Sequence, residues 1–87
     1  MKIVILYHPN SDHARKIEDY ARDFSHQFGH TLDLISLGST QGAEKARMYD
    51  IVRYPAVMAM SDSGQLLKAW QGPVLPLMNE VSFYTKG

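Results

Sequence analysis

The chain contains no cysteine. That absence excludes a disulfide framework, a thiolate metal site and a cysteine nucleophile. A surplus of charge is also missing, because 9 Lys and Arg residues balance 9 Asp and Glu residues. No basic excess marks a nucleic-acid surface, and no acidic tail marks a cationic partner. The apolar runs fall far short of a membrane span, and no signal peptide precedes the first apolar stretch. Neither nucleic acid nor membrane is expected as a partner, and a cytoplasmic address follows as the default. Internal repeats, low-complexity segments and linkers are absent as well.

What is present suits a globular chain. An apolar share of 45% beside 21% charged residues is ordinary for a packed core with a solvated surface. A length of 87 residues supports one compact core but not two, so a single domain over residues 1–87 is expected.

Lys2 to Tyr7 (K-I-V-I-L-Y) is apolar and β-branched, as a central strand covered on both faces requires. It stops at His8-Pro9-Asn10, after which Asn10 or Ser11 is placed to cap a helix. Ala14, Ile17, Ala21, Phe24 and Phe28 alternate spacings of three and four, which puts them on one helical stripe. Arg15–Asp19 and Glu18–Arg22 stand at helical contact spacing on the other side, and Gly29 is the natural stop.

Thr31 to Leu37 (T-L-D-L-I-S-L) reads as a second strand, and strand–helix–strand implies a parallel pair with a right-handed crossover. Ser39 or Thr40 then caps a short, weakly amphipathic helix running to about Asp50. Val57, Met58, Ala59 and Met60 are too few for a helix and apolar throughout, so they predict another strand buried on both faces. Ser61-Asp62-Ser63-Gly64 is a turn. Gln65 to Gln71 mixes Leu66, Leu67, Ala69 and Trp70 with Lys68, as an edge strand does. Pro76 opens a last helix in which Leu77, Met78, Val81 and Tyr84 share a face. Met48, Met58, Met60 and Met78 read as core, and Trp70 as packing against that helix. Pro55 stands at the mouth of its strand, where it cannot donate to a ladder, and a cis Tyr54–Pro55 bond is one reason for it to be there.

The stretch from Ala46 to Gly72 resembles the C-terminal half of thioredoxin, where A-x-x-Y-x-I-x-x-x-P opens a hairpin closed by a glycine. Ala46, Tyr49, Ile51, Pro55, Gly64 and Gly72 match in order. The resemblance extends over essentially the whole chain. It implies an α/β protein of the minimal thioredoxin and glutaredoxin kind, βαβ-α-ββα, with a four-stranded mixed sheet flanked by helices.

In redox members of that superfamily, C-x-x-C sits where the first strand meets the first helix. Counted from Tyr7 and Pro9, Ser11 falls on the first cysteine position and Ala14 on the second. Ser11, Asp12, His13 and Ala14 are thus a vacated redox motif. A serine hydroxyl is far less acidic than a thiol and forms no disulfide, so thiol–disulfide exchange is excluded and no enzyme activity is expected.

The resemblance leaves a surface. Its members pair the backbone before the cis-proline with an extended substrate, which maps here onto Asn10 and its loop, Tyr54, Pro55 and Gly72. A non-catalytic module binding a protein or peptide by strand addition is the main expectation, without cofactor. Glutathione-like ligand recognition, or a non-thiol enzyme in the same cleft, is the alternative. A partner-exchange regulator is a third: the phrase P-N-S is similar to the KaiB family, whereas the hairpin with Gly64 and Gly72 is closer to ordinary thioredoxins.

Blander roles compete for several residues. Ser11 and Asp12 suit a helix start. Ser11 with His13 suggests a nucleophile and base, but residues two apart on a helix point to different sides and no third orienting group is evident. His8, Asp12 and His13 have no metal-ligand spacing. His26 and His30 read as solvated, and Tyr54 as either a recognition aromatic or a lid over the core.

Overall fold

The structure is a computed structural model and describes residues 1–85. Its elements are β1 (Lys2–Tyr7), α1 (Ala14–Phe28), β2 (Asp33–Ser36), α2 (Thr40–Met48), β3 (Ala56–Met60), β4 (Leu66–Gln71) and α3 (Met78–Phe83). The strands form one sheet in the order β2-β1-β3-β4. β1 runs parallel to β2 and antiparallel to β3, and β3 pairs antiparallel with β4. The sheet is mixed, as expected.

The apolar run of β1 and that of β3 occupy the two central places. Every residue of β3 is buried, and every residue of β1 after Lys2. Strand alternation divides these side chains between two cores. Ile3, Ile5, Tyr7, Val57 and Ala59 meet α1 and α3 through Ile17, Phe24 and Val81. Val4, Leu6, Ala56, Met58 and Met60 meet α2 and the segment after it through Ala46 and Ile51. Helices must therefore cover both faces.

The helices end where local chemistry stops them. Gly29 takes a left-handed conformation (φ 66°) and its N–H donates to the Ser25 carbonyl, closing α1. Ser39 caps α2, its hydroxyl oxygen accepting from Gly42 N–H at 3.0 Å. α2 ends two residues earlier than its pattern suggests, at Met48, because Asp50 turns left-handed (φ 56°). Asp50 N–H then donates to the Arg47 carbonyl and Ile51 N–H to that of Ala46. That pair of bonds is a Schellman motif, and Ile51 folds back on Ala46 within one core.

Several expectations are corrected. The N-cap of α1 is His13, and no side chain caps it, so Asn10 and Ser11 lie before the helix rather than capping it. The buried stripe of α1 passes through Tyr20 rather than Phe28, which is 36% exposed at the helix end where the core no longer reaches. The ion pair on α1 joins Arg22 to Asp19 instead of the two expected pairs. Met48 and Leu77 are exposed, since each falls at a helix terminus turned away from the sheet. His30 packs edge-on against Phe24 rather than standing fully in solvent.

Two contacts hold α1 against the segment before α3. Tyr20 Oη donates to the Pro76 carbonyl at 2.8 Å, and Lys16 Nζ donates to the Pro73 carbonyl at 3.2 Å. Burial, aided by the charge of Glu80, pushes the Tyr20 phenol up to about 12, which keeps it the neutral donor.

Gly42 shows how closely α2 lies on β2. A Cβ there would overlap the Ser36 carbonyl oxygen and fall 2.9 Å from its carbon and 3.2 Å from Leu37 Cα. Gly42→Ala, although favourable for helix propensity, is expected to lower stability by about 1–3 kcal/mol through overpacking. Urea unfolding measures it; an unchanged midpoint would show that α2 is free to shift away from β2.

Candidate functional site

Pairing between β1 and β3 ends at Leu6↔Ala56. Beyond that point the two strands separate into the loop 8–13 on one side and Arg53–Pro55 on the other. The site is what lies across this end of the sheet.

The loop is fastened by its own side chains. Ser11 N–H and Ser11 Oγ both donate to the His8 carbonyl, at 3.1 and 2.6 Å. His8 N–H donates to His13 Nε2 at 3.2 Å, which fixes Nε2 as an acceptor and the neutral ring as the Nδ1-protonated tautomer. Ala14 N–H donates to the Ser11 carbonyl, closing a turn whose last residue is the first of α1. Neither Ser11 nor His13 points to the other. Ser11 Oγ is engaged with a carbonyl and His13 Nε2 with a backbone N–H, so a nucleophile–base pair is not assembled. Among the described residues no three His, Asp or Glu side chains converge to hold a metal ion.

Across from the loop, the Tyr54–Pro55 peptide is cis. Pro55 is buried, and its carbonyl accepts from Gly72 N–H at 3.0 Å, which ties the mouth of β3 to the end of β4. Gly72 adopts φ 109°, a conformation that suits glycine, and the Arg53 guanidinium lies 3.3 Å from where a Cβ would stand. Gln71 Oε1 accepts from the N–H groups of both Val52 and Arg53, bracing the bend that leads into Pro55. Tyr54 is half-buried; its hydroxyl donates to the Ile51 carbonyl at 2.9 Å and its ring meets His8 edge-on at 5.7 Å. Among the described residues, neither Tyr54 N–H nor Tyr54 C=O has a hydrogen-bond partner.

An open cavity of about 440 Å³ adjoins Tyr54 and His8. Leu37, Ala46 and Ile51 give it an apolar floor, and Arg47, Asp50 and Val52 form its rim. Beneath the loop, burial, aided by the charge of Glu18, raises the pKa of the Tyr7 phenol.

The structure thus joins the loop to Tyr54 through His8, and Pro55 to Gly72 by a backbone bond. Asp12 and Asn10 stay exposed on the loop's outer side, while Ala14 is buried. Sequence reasoning missed Gln71 and the fastening roles of Ser11 and His13. Gln71 carried one weak signal, a long polar side chain beside the closing glycine.

No family model and no curated protein matches the chain. Solved structures do resemble it. Thioredoxin 1 from the thermophilic eubacterium Thermosipho africanus TCF52B superposes with a TM-score of 0.67 at 12% identity, covering 99% of this chain and 91% of that one. A malarial protein superposes with a TM-score of 0.63 at 10% identity, covering 99% and 96%. The chain has a thioredoxin-like fold without C-x-x-C, and with no cysteine it lacks the means for thiol–disulfide exchange.

The register of the vacated motif is open to test. Ser11 and Ala14 bracket a hydrogen-bonded turn, whose ends lie within about 7 Å at Cα, and disulfides span about 4.4–6.8 Å. The double substitution Ser11→Cys with Ala14→Cys should therefore lose both free thiols under mild oxidant, as counted by a thiol reagent, and gain weak exchange activity. The shifted pair Asp12→Cys with Arg15→Cys should do so less selectively. Equal behaviour of the two pairs would mean that the loop does not carry the redox register.

Proposed function

We propose that the protein is a non-catalytic thioredoxin-like module, cytoplasmic, that binds an extended segment of another protein across Tyr54 and Pro55, flanked by the Asn10–His13 loop and Gly72. The observation that carries this reading is that, among the described residues, the N–H and C=O of Tyr54 have no partner at the mouth of β3. An extended peptide supplies one acceptor and one donor to such a residue by strand addition, and its side chains supply specificity.

Three further features support it. Gln71 braces Val52 and Arg53 by their N–H groups, so the approach to Tyr54 is held in place before anything binds. The cavity beside Tyr54 has room and an apolar floor for one side chain of the bound segment. The internal bonds of Ser11 and His13 make the loop a shaped wall instead of a reactive group. Neither residue touches chemistry in this reading; both are positioning residues.

A peptide-display selection against the folded chain tests it. Selected peptides should shift the amide resonances of Tyr54, Gly72 and residues 10–13. Tyr54→Ala should weaken their binding by about 1–3 kcal/mol, as removal of a central aromatic contact does. Tyr54→Phe keeps the ring while removing the bond to Ile51, and should retain most of the affinity. Shifts confined to another face, or affinity indifferent to Tyr54→Ala, would refute the reading.

A further inference from the structure

Away from that site, three aromatic rings and a carboxylate surround an open cavity of about 380 Å³ between the edge strand β4 and α3. Its walls are Trp70, Phe83 and Tyr84, with Lys68, Asn79 and Glu80 around them. Tyr84 stands nearly perpendicular to both other rings: 76° to Trp70 at 5.6 Å and 83° to Phe83 at 5.3 Å. Phe83 is 68% exposed, whereas Val81 and Tyr84 pack toward the core.

One cation already uses this surface. Lys68 Nζ lies 6.0 Å from the centre of the Trp70 ring, at the outer limit of a cation–π contact. A primary ammonium is strongly hydrated and gives up water reluctantly, which keeps Lys68 at the rim. A quaternary ammonium differs on both counts. It has no N–H to satisfy, and its charge is spread over methyl groups that pack against ring faces.

We propose that this cavity binds the trimethylammonium head of a small organic cation of the choline type. The rings supply negative faces and apolar contact, and the Glu80 carboxylate supplies a counter-charge. Asn79 and the open side leave room for the hydroxyl-bearing tail. Lys68 competes from within for the Trp70 face, so it tunes the affinity downward.

Trp70 is the chain's one tryptophan, so its fluorescence reports on this cavity. The intact protein is titrated at constant ionic strength with choline, with tetramethylammonium, and with 3,3-dimethylbutan-1-ol, the neutral carbon isostere of choline. Both cations should give saturable changes at millimolar concentrations, and the neutral isostere should bind at least about two- to fivefold more weakly. Phe83→Ala, at an exposed position, and Glu80→Gln should each weaken choline binding by a similar factor, and Lys68→Met should strengthen it. An equal response to the neutral isostere would reduce the site to an apolar crevice. The absence of a saturable response, or indifference to Phe83→Ala, would overturn the proposal outright.

Discussion

Two-sided burial of the central strand pair is the constraint on which the rest of this structure depends. β3 has no exposed residue and β1 only its first, so neither strand offers a face to water. Each fully buried Ile, Leu, Val or Met contributes about 1.5–3 kcal/mol relative to exposure, which makes covering both faces decisive for so short a chain. With α1 and α3 on one side and α2 on the other, both faces of the central strand pair are covered. The end where β1 and β3 part company holds the His8–Ser11–His13 loop, Tyr54, Pro55 and Gly72, while the β4 edge holds the aromatic cavity.

That end of the sheet is organised by backbone and side-chain hydrogen bonds rather than by ionised groups. His13 and Ser11 spend their polar atoms on His8, and Gln71 spends its side-chain oxygen on two backbone N–H groups. Tyr54 is left as a residue whose side chain is anchored while its backbone, among the described residues, is unpartnered. In a protein interior such groups would be costly; Tyr54 is half-buried, at the end of the sheet.

Most of the architecture was legible in the residues. K-I-V-I-L-Y and V-M-A-M announce the central strands, Gly29 and Ser39 announce helix ends, and the Tyr54–Pro55 to Gly72 interval announces the hairpin. Local side-chain bonds were not legible. Ser11 looks like a helix cap in any sequence, and only the path of the loop shows that its hydroxyl turns back to His8. Gly42 in mid-helix reads as a weakness until the Ser36 carbonyl beneath it is seen. Met48 and Leu77 read as core because hydrophobicity alone does not tell which way a helix end faces. The early end of α2 depends on Asp50 adopting a left-handed conformation, which aspartate tolerates but does not advertise.

Amide hydrogen exchange at Tyr54 tests the central claim most directly. The Tyr54 N–H should exchange rapidly in the isolated protein, in contrast to the neighbouring amides of β3, and should become protected when a selected peptide saturates the groove. A Tyr54 amide already as protected as those of β3, or one whose exchange is unchanged at saturation, would contradict the account.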